Sequence, residues 1–267
     1  MPKRRRGLNR HSFVKEYSEW VNSHGARSAR LEEPIQSVRA ILASAQNKLS
    51  YDRRISISTK MARLGPFYQV MGTVRCFADQ VEGWRLIKRG LLYSHWNHRI
   101  AARARDFWEE PTGQPKGHYE LAMSLADVAG LGLAIARSEA VWSLTEMERG
   151  VADWRVEWLF CDYFAAYLVR LFQKLKRQED IPDIPPDAEP WEHPFGELID
   201  HWDNETQLAE AIRRMCDYHL RWNNEDTEEH DAEFSSPYTM INPIEIHALR
   251  AVREELGLAM PEVDHEL

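Results

Sequence analysis

The stretch DWRVEWLFCDYFAAYLVRLFQKLKR, residues 153–177, decides the fold class, because its apolar side chains repeat with helical spacing. One stripe recurs every three or four residues and comprises Trp154, Trp158, Cys161, Ala165, Leu168 and Phe172. A second stripe comprises Phe160, Phe164, Tyr167 and Leu171. The two stripes leave little polar circumference, which is typical of a helix at the centre of a bundle.

Helical patterns continue upstream of this segment. The predicted helices there are 34–49, 66–80, 84–109 and 118–147, with a loop at 111–117. We expect Pro34 in the first turn of the first helix and a break at Gly65-Pro66, because proline removes a helical hydrogen bond. The short stretch RRISIST, residues 53–59, alternates like a strand.

Downstream, 204–222 is a predicted helix, and a last helix begins at NPIEIHALRAVREEL. Asn242 suits its N-cap, Glu245 the third helical position, and Gly257 its end. We therefore predict an all-α protein, a helical bundle or stacked helical hairpins with a proline-rich acidic strap and a C-terminal helical segment.

The strap is the sequence QEDIPDIPPDAEPWEHP, residues 178–194, with five prolines and six acids. Proline at this density excludes a helix or a central strand. The strap either separates two domains or crosses a single one. We predict a basic N-terminal tail at 1–12 and one α-helical domain at 13–267, with a subdivision at 178–194 left open.

The charge is strongly asymmetric along the chain. Residues 1–177 carry 29 Lys and Arg against 18 Asp and Glu, a balance of +11, whereas 178–267 carry 5 against 24, a balance of −19. The sharpest acidic run is NNEDTEEHDAEF, residues 223–234. A chain with this charge asymmetry either folds its acidic part onto its basic part or presents the acids to a positively charged partner.

The location of the protein follows from its cysteines and its apolar segments. Three cysteines without paired spacing favour a reducing compartment. The N-terminal MPKRRRGLNRHSF has no apolar segment after its basic start, as a signal peptide would. The most apolar stretch is interrupted by Asp162 and Arg170 and is too short to span a bilayer. We expect a cytoplasmic protein without membrane contact.

Two enzyme hypotheses and a nucleic-acid-binding hypothesis are alternatives to a protein-binding function. His230-Asp231, with His201 and Asp264, follows the order of metal ligands in HD phosphohydrolases, but the pair lies among like charges without apolar anchors. The spacings from Arg89 to His95 and from Arg214 to His219 match the Arg-x(4–6)-His pattern of HEPN ribonucleases. His219, on an apolar helix face, fits a hydrogen-bonded core histidine better.

The nucleic-acid reading rests on a basic helix that also carries tryptophans. Its residues are Arg85, Lys88, Arg89, Arg99 and Arg103, with Trp84 and Trp96 nearby. The acidic balance of the whole chain argues against nucleic-acid binding. No Gly-rich phosphate loop or Ser-His-Asp order occurs in the sequence. We predict a protein that is not an enzyme, with no cofactor and no metal.

Two stretches resemble a known group of proteins. VEGWRLIKRGLLYSHWNHR (81–99) and PYTMINPIEIHALRAVREELGLAMPEVDHEL (237–267) resemble the helical immunity proteins of bacterial polymorphic toxin systems, including the PoNi group that neutralises secreted nuclease toxins. The resemblance implies a cytoplasmic, all-helical, non-enzymatic protein. Its partner would be a cognate toxin, and its acidic surface would cover the toxin's cationic active site.

The candidate partner-binding residues are the acids of the 223–234 run and the aromatic residues beside them. They are Glu225, Asp226, Glu228, Glu229, Asp231, Glu233, Trp222, Phe234 and Tyr238. Carboxylates would steer a cationic partner and aromatic side chains would anchor it. The alternative that this segment is only a solvated connection stays open, as do the identity of the toxin and the oligomeric state.

Overall fold

The computed structural model describes residues 14–15, 17–19, 28–44, 49–77, 81–104, 126–134, 137–154, 163–176, 194–222 and 242–265. These residues form helices and short connections, with no strand among them, so the prediction of an all-α fold is confirmed. The helices are α1 (Ser28–Ser44), α2 (Tyr51–Phe77), α3 (Glu82–Ala104), α4 (126–134), α5 (Arg137–Trp154), α6 (Tyr163–Lys176), α7 (Pro194–Asp200), α8 (Glu205–Trp222) and α9 (Ile244–Glu255). No helix in these ranges is long and apolar enough to cross a membrane.

The described helices fall into two compact units. Helices α1 to α3 belong to one unit, and α4 to α9 belong to the other. The division lies between α3 and α4, whereas the strap at 178–194 connects α6 and α7 within the second unit. The basic tail at 1–12 lies outside the described residues.

Helix α2 corrects two predictions. It runs without a break through Gly65 and Pro66, and it includes residues 53–59, which were expected to form a strand. Proline inside a helix costs about 3 kcal/mol, but Leu64, Phe67 and Tyr68 around it are buried, and each buried side chain contributes roughly 1.5–3 kcal/mol. Apolar burial on both sides of Pro66 therefore outweighs the local cost.

The start of α1 was also predicted wrongly. The helix begins at Ser28, six residues before Pro34, so this proline lies inside the helix and not in its first turn. Pro34 therefore lies inside its helix, as Pro66 does.

Helices α2 and α3 form an antiparallel hairpin with glycines at the contact. Gly65 faces Gly90, and Gly72 faces Gly83. A Cβ on Gly72 would lie 2.6 Å from the carbonyl oxygen of Gly83, and one on Gly90 would lie 2.6 Å from that of Gly65. The two backbones approach so closely that a side chain has no room at either point, and Ser58 bonds across the hairpin to Asn97 at 2.5 Å.

Helix α6 is the centre of the second unit, and it contacts α5, α7 and α9. Its residues Ala165, Tyr167, Leu168 and Leu171 are fully buried, as the apolar stripes predicted. The ring of Phe195, from α7, lies 5.3 Å from that of Tyr167. Of the predicted helix 153–177, Asp153 and Trp154 belong to the end of α5, and residues 155–162 lie outside the described residues.

The ends of α9 confirm one prediction and correct two. Gly257 has a φ of 74° and ends the helix, with the Leu258 amide donating to the Arg253 carbonyl and the Gly257 amide to that of Glu254. At the start, Pro243 occupies the N-cap position without a side-chain cap, in place of Asn242. Glu245 does not cap the helix either, because its side chain turns into the core.

Candidate interaction site

The predicted partner-binding residues lie in or beside one segment, 223–241. Eight of them fall outside the described residues, and Trp222 is the last residue of α8. The structure therefore brings none of their side chains together in the described ranges. It does describe the two helices from which the segment starts and to which it returns, α8 and α9.

A buried polar pair joins these two helices close to the segment. His219 Nδ1, in the last turn of α8, lies 2.8 Å from Glu245 Oε1, in the first turn of α9, and both side chains are completely buried. The hydroxyl of Tyr167, from α6, donates to the backbone carbonyl of Glu245 at 3.0 Å. The central helix and the two helices that bound the acidic segment thus meet at one point.

The groups around this pair are held in their neutral forms. Burial, followed by the charges of Glu245 and Asp217, raises the pKa of the Cys216 thiol to about 12. Burial, followed by the charge of Glu245, raises the pKa of Tyr167 well above its usual value. A protonated thiol is a poor nucleophile, and a protonated tyrosine remains a hydrogen-bond donor. The cluster is therefore suited to holding helices together and unsuited to nucleophilic catalysis.

Histidine 219 confirms its prediction as a hydrogen-bonded core histidine. The role of Glu245 was missed, because its position three residues after Asn242 matched a helix cap. The available signal was a carboxylate between two isoleucines, Ile244 and Ile246, which are both buried. A charged side chain on an apolar face requires a polar partner inside the protein.

Arg253 forms a second polar anchor on α9. Its guanidinium donates from Nη1 to the Trp202 carbonyl at 2.5 Å and from Nε and Nη2 to the Ala259 carbonyl at 2.9 and 2.7 Å. Its Cζ also lies 5.1 Å from the centre of the Trp202 ring. These bonds tie the turn between α7 and α8, and the chain that follows Gly257, to one side chain of α9. Sequence reasoning did not identify Arg253.

The described exterior of this region carries many carboxylates. Without the buried Glu245 and Arg253, residues 194–222 and 242–265 contain ten Asp and Glu against four Arg. Arg214 is engaged by Glu197 through Nε at 2.6 Å, and Arg213 pairs with Glu210. Asp200, with Asp203 on the same turn, is exposed. The acidic segment thus begins and ends on a unit whose described surface is itself acidic.

In both arginine-histidine spacings the arginine lies on the surface and the histidine lies in the core. Arg89 is exposed and lies over the Tyr68 ring at 4.5 Å, whereas His95 is 4% exposed. Six residues on a helix separate side chains by about 120° around the axis. Arg214 is likewise on the surface with Glu197, and His219 is in the core.

The proposed metal ligands are only partly described. His201 and Asp264 lie in described ranges, and His230 and Asp231 do not. Among the described residues, no group of three or more His, Cys, Asp or Glu is arranged to hold a metal ion. Cys76 and Cys216 are free thiols.

The chain was compared with family models, with curated proteins and with solved structures. None of the three comparisons found a match.

Proposed function

We propose that this chain is a cytoplasmic immunity protein that binds a cognate nuclease toxin and neutralises it through the acidic segment 223–241. The observation that carries the proposal is the buried contact between His219 and Glu245, which holds together the two helices that bound this segment. Inhibition in this scheme is steric and electrostatic and needs no catalysis by the chain.

The charge of the segment suits such a partner. Residues 223–241 contain six Asp and Glu and no Lys or Arg. A nuclease binds its substrate through cations that face phosphates, and an acidic segment competes for the same cations. Opposite charges on the two proteins also speed their association, and salt weakens this effect.

The anchoring of both ends favours tight binding. A free acidic tail would lose the chain entropy of its whole length when it bound. A segment that starts at a fixed α8 and returns to a fixed α9 has fewer conformations to lose. The structure of the unit therefore reduces the entropic cost of using these acids.

The first experiment is co-expression with the product of the gene immediately upstream, scoring growth and co-purification. We expect the upstream product to arrest growth alone, and the full chain to restore growth and to form a stable complex. Absence of both rescue and complex would overturn the proposal for that partner. Metal analysis and RNA-cleavage assays on the purified chain would then test the phosphohydrolase and ribonuclease alternatives.

A charge-matched pair of variants tests the role of the segment. In one variant the six acids of 223–234 become their amides; in the control the same change is made at Asp200, Asp203, Glu205, Glu254, Glu262 and Asp264, which are all exposed. We expect the first variant to lose most of the association rate and its salt dependence, and the control to lose little. Equal losses would mean that overall charge, and not this segment, drives binding.

A further inference from the structure

The outward face of α3 carries a row of cations and the exposed indole of Trp96. The row begins at Arg85 and continues with Lys88, Trp96 and Arg99, which are 3, 11 and 14 residues further along the chain. This spacing places all four on one side of the helix. The row is about 21 Å long at 1.5 Å per residue. Arg85, Lys88 and Trp96 are exposed and Arg99 is partly so.

The side chains of this row are supported by local contacts. Arg99 Cζ lies 5.1 Å from the centre of the Trp96 ring, and the indole remains 47% exposed. At one edge, Arg89 lies over Tyr68 at 4.5 Å and its Nη2 donates to the Tyr93 hydroxyl at 3.4 Å. These contacts restrict the rotamers of the arginines, so less entropy is lost when a ligand binds.

The charge of the hairpin is strongly positive. Together α2 and α3 contain ten Lys and Arg and two Asp and Glu. One of the two acids, Glu82, forms an ion pair with Arg85 at 3.1 Å. It does not neutralise Lys88 or Arg99. Charges on a protein surface act over a screening length of about 8–10 Å. The net charge of −8 for the whole chain therefore does not decide what binds to this face, and it is no evidence against nucleic acid here.

We propose that the outward face of α3 binds single-stranded nucleic acid, with phosphates on Arg85, Lys88 and Arg99 and a base stacked on Trp96. The exposed indole favours this ligand over an acidic protein, since carboxylates need cations but not a flat aromatic surface. It also favours single strands over duplex, in which the faces of the bases are already stacked. This interaction is independent of the proposed immunity function.

The test measures fluorescence polarisation of a labelled oligo(dT) or oligo(U) of about 20 nucleotides with the full chain and no toxin. With three phosphate contacts, raising the salt from ~50 to ~200 mM should weaken binding about 20-fold. The triple variant Arg85→Gln, Lys88→Gln, Arg99→Gln should remove most of the affinity and most of its salt dependence. The variant Trp96→Ala should weaken binding about tenfold at constant salt, in the range expected for one stacked base.

The matched control changes three exposed cations outside this face, with Arg39→Gln, Arg63→Gln and Arg250→Gln. The proposal holds if the control binds like the unmodified chain and both α3 variants, folded by circular dichroism, bind more weakly. It is overturned if the oligonucleotides do not bind, if the two triple variants lose affinity equally, or if Trp96→Ala has no effect. Equal competition by polyglutamate, or preference for duplex of the same length, would also overturn it and assign the face to acidic proteins or to duplex.

Discussion

Replacing Gly72 by alanine should loosen the hairpin of α2 and α3, although alanine is the better helix former. The added Cβ would lie 2.6 Å from the Gly83 oxygen and 2.6 Å from the Ile87 nitrogen. Both opposing atoms belong to the backbone of α3, so no side chain can rotate away. The helices must move apart at this point.

The size of the effect follows from two opposing contributions. Overpacking costs about 1–3 kcal/mol, and the upper half of this range applies because the obstruction is backbone. A gap of 0.5–1 Å around the new methyl group would also forfeit a quarter to a half of the neighbouring dispersion energy. Alanine in place of glycine regains about 1 kcal/mol of helix propensity. We expect the hairpin to be destabilised by about 1–2 kcal/mol.

Hydrogen exchange followed by mass spectrometry on the full chain measures this effect locally, because peptides from α2 and α3 report the free energy of opening of the hairpin itself. The matched control is Ala62→Gly, at an exposed position of the same helix, which loses about 1 kcal/mol of propensity alone. If helix propensity alone mattered, Gly72→Ala would raise the free energy of opening by about as much as Ala62→Gly lowers it. That result would refute the close approach of the two helices at Gly72.

Three further changes test other parts of the fold. Burial, and after it the charge of His95, lowers the pKa of His98 to about 4. Because the unfolded chain takes up this proton near pH 6.5, the free energy of unfolding should fall by about 3 kcal/mol as the pH is lowered from about 6.5 to 4. Urea titrations of the His98→Gln variant over this pH range should lack that loss. Glu245→Ala should lower the free energy of unfolding by about 1–3 kcal/mol, since it removes the carboxylate that the buried His219 Nδ1 contacts, and a loss below 1 kcal/mol in urea denaturation would contradict the role of this pair. Gly257→Ala should cost about 1–2 kcal/mol because its φ of 74° strains a residue that has a Cβ, which thermal melts can check; an unchanged melting temperature would show that this turn does not limit stability.

The sequence predicted those helices whose apolar stripes are regular. The apolar face of α8 predicted its bounds to within one residue, and Gly257 predicted the end of α9, because each signal is local. The break at Gly65-Pro66 was wrong because a local rule was applied where long-range packing decides. The missed signal was a repeat: glycines seven residues apart occur at 65 and 72 and again at 83 and 90, as expected where two helices touch along one seam.

For the candidate site, the sequence revealed the acidic charge of the segment but not the contacts that hold its ends. A run of carboxylates shows that the segment 223–234 carries charge, but its neighbours in sequence do not reveal how its ends are held. That information resides in His219 and Glu245, which are 26 residues apart and meet only in the folded chain. Two polar residues on the apolar faces of separate helices are compatible with many pairings, and the pairing is decided by the packing of α6, α8 and α9.

The polar contact between His219 and Glu245 fixes the register between α8 and α9, which a pair of leucines would not do. A pair of buried apolar side chains of similar volume can be as stabilising as a buried polar pair, or more so. Apolar contacts, however, tolerate sliding, whereas His219 Nδ1 and Glu245 Oε1 satisfy each other only in one register, and the bond from Tyr167 to the Glu245 carbonyl at 3.0 Å fixes the same turn. A slip of one helical turn would displace one end of the acidic segment by about 5.4 Å relative to the other. The buried pair therefore fixes the positions of the last turn of α8 and the first turn of α9 relative to each other.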